Sequence, residues 1–264
     1  MKNVLITGAC GGMGRATAEL LSKRGYRVFA LDIKLDDSAQ KNVIPVQVDL
    51  TDEKSIQSAF SAVCSQTDHL DAIIHFAGIY LLDSLVELPA DQFRRIMDVN
   101  VQGVYLINKI FSPLLSRGSR ILITTSELAP LDPLPFTGIY AVTKAALDKY
   151  AYSLKMELQL LGIDVSVLRA GAVRTDMLGA STAALDRFCG QTKLYSCNAA
   201  RFKSIVERVE ARCVAPEKIA DKAAKILAKR NPAFAYSINR NPLLLLLNAL
   251  PRRFQLWVIR RILR

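Results

Sequence analysis

The chain has 264 residues, of which 51% are hydrophobic, and it carries a formal net charge of +11. This composition excludes a disordered protein, and the length suits one large α/β domain with a sizeable core. No apolar run approaches the ~20 residues that cross a bilayer, and the short stretch 4–6 leads straight into glycines. We therefore expect neither a membrane-spanning helix nor a signal peptide.

Short apolar runs alternate with longer segments of helical periodicity. The predicted strands are 4–6, 27–31, 43–48, 71–76, 120–125 and 164–168. The predicted helices are 13–24, 52–66, 92–115 and 140–161. This alternation is typical of βαβ units, so the sequence predicts a single-domain α/β fold of Rossmann type, a doubly wound parallel sheet in three layers. Ligands of such sheets bind at the carboxyl ends of the strands.

A glycine cluster lies between the first predicted strand and the first predicted helix, at Gly8, Gly12 and Gly14. Small residues there let the backbone approach a diphosphate, which the positive end of the helix attracts. Asp32 ends the second predicted strand, where a carboxylate accepts hydrogen bonds from an adenosine ribose. It also repels a 2′-phosphate, so the sequence predicts NAD in preference to NADP.

The spacing of Thr7, Gly8, Gly12 and Gly14 resembles the TGxxxGxG fingerprint of the short-chain dehydrogenase/reductase family, and the resemblance extends over roughly residues 1–240. The sequence HFAG at 75–78 keeps the second half of the family's NNAG motif, while YAVTK contains its YxxxK motif. AGAVRT, at 170–175, is similar to its PGxxxT segment, with alanine in place of proline. We expect His75 to be a packed structural residue and not a catalyst.

The resemblance implies a set of residues that contact the cofactor. They are Gly8, Gly12, Met13, Gly14, Asp32, Ile33, Asp49, Leu50, Ala77, Gly78, Asn100, Tyr140, Lys144, Val173 and Thr175. Asp49 matches the acid that the family places near the adenine.

The expected catalytic residues are Asn100, Ser126, Tyr140 and Lys144. Tyr140 and Lys144 are four residues apart on a predicted helix and therefore share a face. We expect the lysine ammonium to lower the tyrosine pKa, so that Tyr140 exchanges a proton with an alcohol or ketone. Ser126 would hydrogen-bond the same substrate oxygen. The resemblance implies that Asn100 holds a water that relays protons from Lys144.

Residues 179–215 follow the sixth predicted strand on the ligand side, irregular at first and helical around 201–212. They are interpreted as a lid over the substrate, with a surface helical insertion as the alternative. Apolar candidates to line the substrate site are Met177, Leu178, Leu185, Phe188 and Tyr195.

An apolar and basic extension, 241–264, ends the chain, with five consecutive leucines at 243–247. On a helix from Arg252, the arginines Arg253, Arg260 and Arg264 share one face, opposite a largely apolar side. That side carries Phe254, Val258, Ile259 and Ile262. Such a helix either lies on an anionic membrane surface or packs on the protein body or a second subunit. We expect no nucleic-acid partner, since no binding motif accompanies the arginines.

The five cysteines are Cys10, Cys64, Cys189, Cys197 and Cys213, an odd number with no zinc-site spacing. We therefore expect no metal and a reduced, cytoplasmic compartment.

The resemblance implies an NAD-dependent oxidoreductase that interconverts a secondary alcohol and a ketone, as a homodimer or homotetramer. The segment FAYSINRNPLLLLL resembles members that act on steroids, retinoids and other lipid-like alcohols. A 3-oxoacyl-thioester reductase is the enzymatic alternative. A dinucleotide-sensing or scaffold protein is the non-enzymatic one.

Overall fold

The computed structural model describes residues 1–35, 40–210 and 212–264, without the side chains at 176–178, 180 and 208–210. Seven parallel strands form one sheet in the order β3-β2-β1-β4-β5-β6-β7. They are β1 (Asn3–Thr7), β2 (Arg27–Asp32), β3 (Val43–Gln47), β4 (Leu70–His75), β5 (Leu115–Ser126), β6 (Asp164–Ala170) and β7 (Ala235–Ile238). The predicted Rossmann-type parallel sheet is confirmed.

Helices cover both faces of the sheet. They are α1 (Gly12–Lys23), α2 (Glu53–Cys64), α3 (Ala90–Met97), α4 (Gly103–Phe111), α5 (Gly138–Leu158), α6 (Asp176–Gln191), α7 (Ser196–Glu210), α8 (Pro216–Ala228), α9 (Pro242–Asn248) and α10 (Arg252–Leu263). Side chains alternate between the faces, so that Leu5 joins the core under α2, α4 and α5. Its neighbours Val4 and Ile6 join the core under α1 and α8. Burial on both faces explains the continuous apolar runs of the central strands.

Strand β7 was not predicted from the sequence. It has four residues, all half-buried, and pairs only with β6 at the sheet edge. A strand that is so short and only partly apolar gives little periodic signal.

The helix predicted over 92–115 is interrupted. A π-helical turn at Asp98–Gln102 separates α3 from α4, and a 3₁₀ turn at Ser112–Leu114 ends the segment. The chain then enters β5 at Leu115, five residues earlier than the predicted start at Arg120. The π turn carries Asn100, and such turns are frequent at functional sites.

The region 179–215 is not irregular at its start, as the sequence predicted. It forms α6 and α7, two helices that pack on each other around Leu185, Phe188 and Phe202. The Glu87 carboxylate fixes the turn between them by accepting hydrogen bonds from Thr192 Oγ1 at 2.7 Å and the Lys193 N–H at 2.8 Å. Small residues dominate the start of α6, which explains the weak apolar periodicity.

The predicted helix from Arg252 is present as α10, but its faces differ from the expected ones. Ile259 and Leu263 pack into the cluster formed by α6 and α7. Phe254 and Ile262, predicted on the same apolar side, remain exposed. The cause is a rotation of the helix that turns Leu263 inward. In the described part of the chain, no helix is both long and apolar enough to cross a membrane.

Candidate active site at the carboxyl ends of the strands

The glycine turn after β1 is closely packed. Gly8 has a positive φ of 71°, and a Cβ there would lie 2.5 Å from the Ala77 backbone nitrogen. A Cβ on Gly14 would lie 2.1 Å from the Gly8 carbonyl oxygen, and one on Gly12 would lie 2.7 Å from Thr175 Cγ2. At Gly8 and Gly14 the obstructing atoms are backbone, so only glycine fits there. The turn therefore joins the ends of β1 and β4 and the loop after β6 into one wall.

A cleft of about 600 Å³ extends from this turn to the end of β2. Most of the predicted cofactor residues line it, namely Gly8, Gly12, Met13, Gly14, Asp32, Ile33, Asp49, Leu50, Ala77, Gly78 and Thr175. Val173 lines an adjoining cavity together with Tyr140 and Lys144.

Backbone hydrogen bonds hold the carboxylate of Asp32 at the end of the cleft. Its Oδ2 accepts from the Cys10 N–H at 2.9 Å, and its Oδ1 from the Lys34 N–H at 3.2 Å. The side chain is thereby fixed beside the glycine turn, with both oxygens placed by the fold.

Asp49 is fixed in a similar way, because its Oδ1 accepts from both the hydroxyl and the N–H of Thr51. These hydrogen bonds, and more weakly the Arg95 guanidinium, hold the pKa of Asp49 below its usual value. Arg95 lines the cleft as well, although the sequence analysis did not identify it. An exposed position in the last turn of α3 gave no signal for that role.

The adjoining cavity, of about 210 Å³, contains the expected reacting groups. Ser126 ends β5, and Tyr140 and Lys144 project from the first turns of α5. The Ser126 side chain lies near the Tyr140 phenol. Met13, Phe76, Tyr80 and Thr175 line both cavities, so the two spaces meet beside the glycine turn.

Lys144 lies below Tyr140, with its Nζ 5.6 Å from the tyrosine ring centroid. The Nζ also donates a long hydrogen bond of 3.4 Å to the Thr124 carbonyl. Only 5% of Lys144 is exposed. Burial lowers the pKa of its ammonium to about 8.

The expectation that Tyr140 has a lowered pKa is wrong for this structure. Burial raises the pKa of its phenol above the usual value, and the nearby phenol of Tyr80 raises it further. The nearby Ser126 hydroxyl lowers the pKa but is the smaller effect. Tyr140 is therefore a neutral phenol near pH 7, a state that suits a proton donor.

Tyr80 is a further residue that the sequence analysis missed. Its ring lies 4.8 Å from that of Tyr140, measured between centroids. Tyr80 lies two residues after the HFAG segment, and this position could have indicated a place near the cofactor cleft.

Asn100 does not line either cavity but lies behind Gly78. Its Oδ1 accepts from the Ile79 N–H at 2.8 Å, and its Nδ2 donates to the Ile79 carbonyl at 2.9 Å. The same Nδ2 lies 3.2 Å from Thr143 Oγ1, in the turn of α5 between Tyr140 and Lys144. A Cβ on Gly78 would lie 3.2 Å from Asn100 Oδ1 and 3.5 Å from Lys144 Nζ. The amide thus connects the loop after β4 to α5.

His75 is packed within the core, as expected. Its Nε2 donates to Asn108 Oδ1 at 3.0 Å, and Asn108 Nδ2 donates to the Tyr150 hydroxyl at 3.2 Å. Burial lowers the pKa of His75 to about 4, so the ring is neutral near pH 7. A buried polar chain therefore runs from β4 through α4 to α5.

The apolar wall of the smaller cavity differs from the predicted set. Leu185, Phe188 and Tyr195 pack with α6 and α7 and do not line it. The side chains of Met177 and Leu178 lie outside the described residues. Phe202, Ile205 and Val206 of α7 line the cavity instead, with Leu244 of α9. Among the described side chains of the hairpin, those of α7 supply the apolar part of the cavity wall.

Glu127 is an acidic residue in this otherwise mainly apolar wall. Its Oε2 accepts a hydrogen bond of 2.6 Å from the Asn241 N–H, at the start of α9. Burial raises the pKa of its carboxyl above the usual value.

Known proteins with similar sequences include several dehydrogenases and reductases. A 3-ketodihydrosphingosine reductase of Bacteroides thetaiotaomicron is 27% identical over 232 residues, which cover 88% of this chain and 85% of that protein. Estradiol 17-beta-dehydrogenase 2 of Mus musculus is 33% identical over 189 residues, 67% of this chain but only 50% of the mouse enzyme.

Solved structures share the fold at lower identity. A short chain dehydrogenase family protein from Francisella tularensis superposes with a TM-score of 0.75 at 23% identity, covering 90% of this chain and 97% of that one. A 3-ketoacyl-(acyl-carrier-protein) reductase from Brucella melitensis, complexed with NADH, has a TM-score of 0.73 at 22% identity, covering 90% and 96%. The family model for short chain dehydrogenases matches residues 2–186. The chain therefore belongs to the short-chain dehydrogenase family and is an oxidoreductase that acts on CH–OH groups.

Proposed function

We propose that this enzyme interconverts a secondary alcohol and a ketone on an apolar, lipid-like molecule, with NAD(H) as cofactor and Tyr140 as the proton donor and acceptor. The observation that carries the proposal is that Tyr140, Ser126 and Lys144 line one cavity, which opens onto the glycine-lined cleft.

The cleft fits a dinucleotide. Three glycines remove side-chain volume where a pyrophosphate would contact the backbone, and α1 begins at Gly12 with its N-terminus beside the same space. Asp32 would accept hydrogen bonds from the adenosine ribose and disfavour a 2′-phosphate. Asp49 and Leu50 would flank the adenine, while Ala77 and Gly78 would contact the remainder through backbone. The nicotinamide supplies or accepts the hydride when it is bound.

Three side chains perform the proton chemistry. In the reductive direction, Tyr140 donates its phenolic proton to the carbonyl oxygen, since burial keeps this phenol neutral. Ser126 hydrogen-bonds the same oxygen and stabilises the charge that develops on it. The Lys144 ammonium, close to the ring, stabilises the phenolate that remains. Asn100 acts as a positioning residue, because its amide fixes the backbone of Ile79 and contacts Thr143.

The wall of the small cavity supports an apolar substrate. Phe202, Ile205 and Val206 of α7 and Leu244 of α9 close it on one side. We assign α6 and α7 to a lid for this reason. The names of the similar reductase and dehydrogenase describe a long-chain ketone and a steroid, and both molecules are largely hydrocarbon.

A homo-oligomer is supported by exposed apolar side chains on the outer surfaces of α4 and α5. They are Tyr105, Val142, Tyr152 and Met156. A second copy would cover them. The odd number of cysteines, with no zinc-site spacing among them, supports a reduced, cytoplasmic location.

The test is NADH oxidation, followed by absorbance, with steroid ketones, long-chain 3-keto lipids and 3-oxoacyl thioesters. We expect turnover with an apolar ketone and a loss of roughly 100- to 10,000-fold in kcat for Tyr140→Phe. Tyr26→Phe, at a half-buried tyrosine that lines neither cavity, is the matched control.

Preference for the thioester would instead identify a 3-oxoacyl-thioester reductase. Tight NAD binding without turnover on any substrate would identify a dinucleotide sensor and overturn the proposal.

A further inference from the structure

The outward side of α10 exposes large apolar side chains next to arginines. Phe254 and Trp257 stack on each other with ring centroids 5.3 Å apart. They remain 48% and 59% exposed, respectively. Arg253, Arg260 and Arg261 are exposed on the same helix. These five residues are here called the tail face.

The helix is firmly attached through its opposite side, so this exposure does not come from a loose end. Leu263 is buried in the cluster formed by α6 and α7, and Ile259 packs against it. Asn198 Nδ2 of α7 donates to the Leu263 carbonyl at 2.7 Å, and Gln255 Nε2 donates to the Leu250 carbonyl at 2.8 Å. The orientation of α10 is therefore determined, and it directs the aromatic pair away from the protein body.

The charge of the segment identifies what could cover the tail face. Residues 240–264 contain six arginines and no acidic residue, in a chain whose net charge is +11. A second copy that presented the same face would bring cations against cations. A surface of phosphate groups over hydrocarbon would match both the arginines and the aromatic rings.

We propose that the tail face binds the surface of a bilayer that contains anionic lipid. Phe254 and Trp257 enter the headgroup region, and Arg253, Arg260 and Arg261 contact lipid phosphates. The helix lies in the plane of the interface and does not span it.

The position of α9 connects this surface to the small cavity. Leu244 lines the cavity, whereas its neighbours Leu243 and Leu246 are exposed. Since α9 packs against α10, a bound membrane lies close to the cavity wall. An apolar molecule would then travel a short path between the lipid and Tyr140. This last step rests on the proposed function, while membrane binding itself does not.

The experiment is co-sedimentation of the full chain with phosphatidylcholine vesicles, with and without phosphatidylglycerol. Trp257 is the only tryptophan, so its fluorescence reports insertion directly. Three variants are compared with the wild type. The first is Arg253→Gln/Arg260→Gln/Arg261→Gln, and the second is Phe254→Ala. The third, Lys23→Gln/Lys54→Gln/Lys218→Gln, removes the same charge from exposed positions on other helices.

We expect binding to the anionic vesicles only, with a blue shift of the Trp257 emission. The triple arginine variant should bind roughly 100-fold more weakly, Phe254→Ala roughly 10-fold, and the lysine variant within a few-fold of wild type. Absence of wild-type binding would overturn the proposal, as would an equal loss in the lysine variant or an unshifted emission. Dissociation of an oligomer by Phe254→Ala, without vesicle binding, would assign the face to a second copy. None of these measurements requires turnover, so they are independent of the proposed reaction.

Discussion

The Glu127 carboxylate accepts a hydrogen bond of 2.6 Å from the backbone N–H of Asn241. Glu127 directly follows Ser126, and Asn241 caps the N-terminus of α9 through its side chain. One contact thus joins the residue next to the reacting serine to the helix that contributes Leu244 to the cavity. The end of β5, which carries Ser126, therefore also anchors the start of α9.

Glu127→Ala is therefore expected to loosen α9 and open the cavity. The change removes the acceptor of a half-buried N–H, which costs about 0.5–1.5 kcal/mol of stability. Hydrogen exchange of the amides in 241–248 should accelerate, and KM for an apolar ketone should rise more than kcat falls. Glu127→Gln retains an acceptor oxygen and should show a smaller effect. Equal exchange in wild type and Glu127→Ala would contradict this coupling.

Asp32→Ala should reduce the preference for NAD over NADP. It removes a charged acceptor from the ribose end of the cleft, and such hydrogen bonds are worth about 1.5–3 kcal/mol. The ratio of kcat/KM for the two cofactors should shift by roughly 10- to 100-fold toward NADP. Asp91→Ala, on the surface of α3, serves as the control. A wild-type enzyme that uses NADP better would show that the role assigned to Asp32 is wrong.

The pH dependence of ketone reduction should report Lys144. Burial lowers the pKa of its ammonium to about 8, so the charge is present below that pH and lost above it. Because the ammonium stabilises the Tyr140 phenolate, kcat should decline above about pH 8. In Lys144→Arg, whose guanidinium stays charged, any residual activity should not show this decline. A wild-type rate that stays constant up to pH 10 would be inconsistent with this role.

His75 should make the protein sensitive to acid. Its pKa is about 4 when folded and ~6.5 when unfolded, so the unfolded chain binds the extra proton between these values. Stability is therefore complete above pH ~6.5 and falls toward pH 4, by about 3 kcal/mol from this group. Urea unfolding across this range should show a smaller slope for His75→Asn than for wild type. The other histidine, His69, is exposed, and His69→Asn serves as the comparison variant.

Gly14→Ala should destabilise the fold and abolish dinucleotide binding together. The added Cβ would lie 2.1 Å from the Gly8 carbonyl oxygen, and backbone cannot move away as a side chain can. Gly190→Ala is the control, since it lies in α6 with nothing within 4 Å of the added Cβ. That substitution should stabilise the helix by about 0.5–1 kcal/mol. Thermal unfolding and NAD titration of both variants provide the comparison, and a Gly14→Ala protein that binds NAD normally would refute it.

The sequence predicted those structural features that depend on neighbouring residues in the chain. Glycine spacing and apolar runs predicted six of the strands and the position of the cleft, because both patterns follow directly from backbone geometry. The direction of the Tyr140 pKa was not predictable, since it depends on how deeply α5 packs the phenol and on Tyr80. The residues that line the cavity could also not be predicted from the sequence. Which side chains of α6 and α7 face the cavity depends on how these two helices pack against each other. Glu127 was recognised as a site residue only from the structure, because its contact with Asn241 depends on the packing of α9 against the end of β5.

The buried chain of His75, Asn108 and Tyr150 has a consequence for how this protein can change over evolutionary time. Restoring the family's asparagine at position 75 would shorten the side chain and leave Asn108 Oδ1 without its donor. Replacing Asn108 first would remove the hydrogen-bond acceptor of His75 and the donor to the Tyr150 hydroxyl. Neither replacement is neutral alone, so the departure from the family motif at His75 is stabilised by residues on two helices. The substitution is therefore epistatically entrenched, and we expect the three positions to vary together.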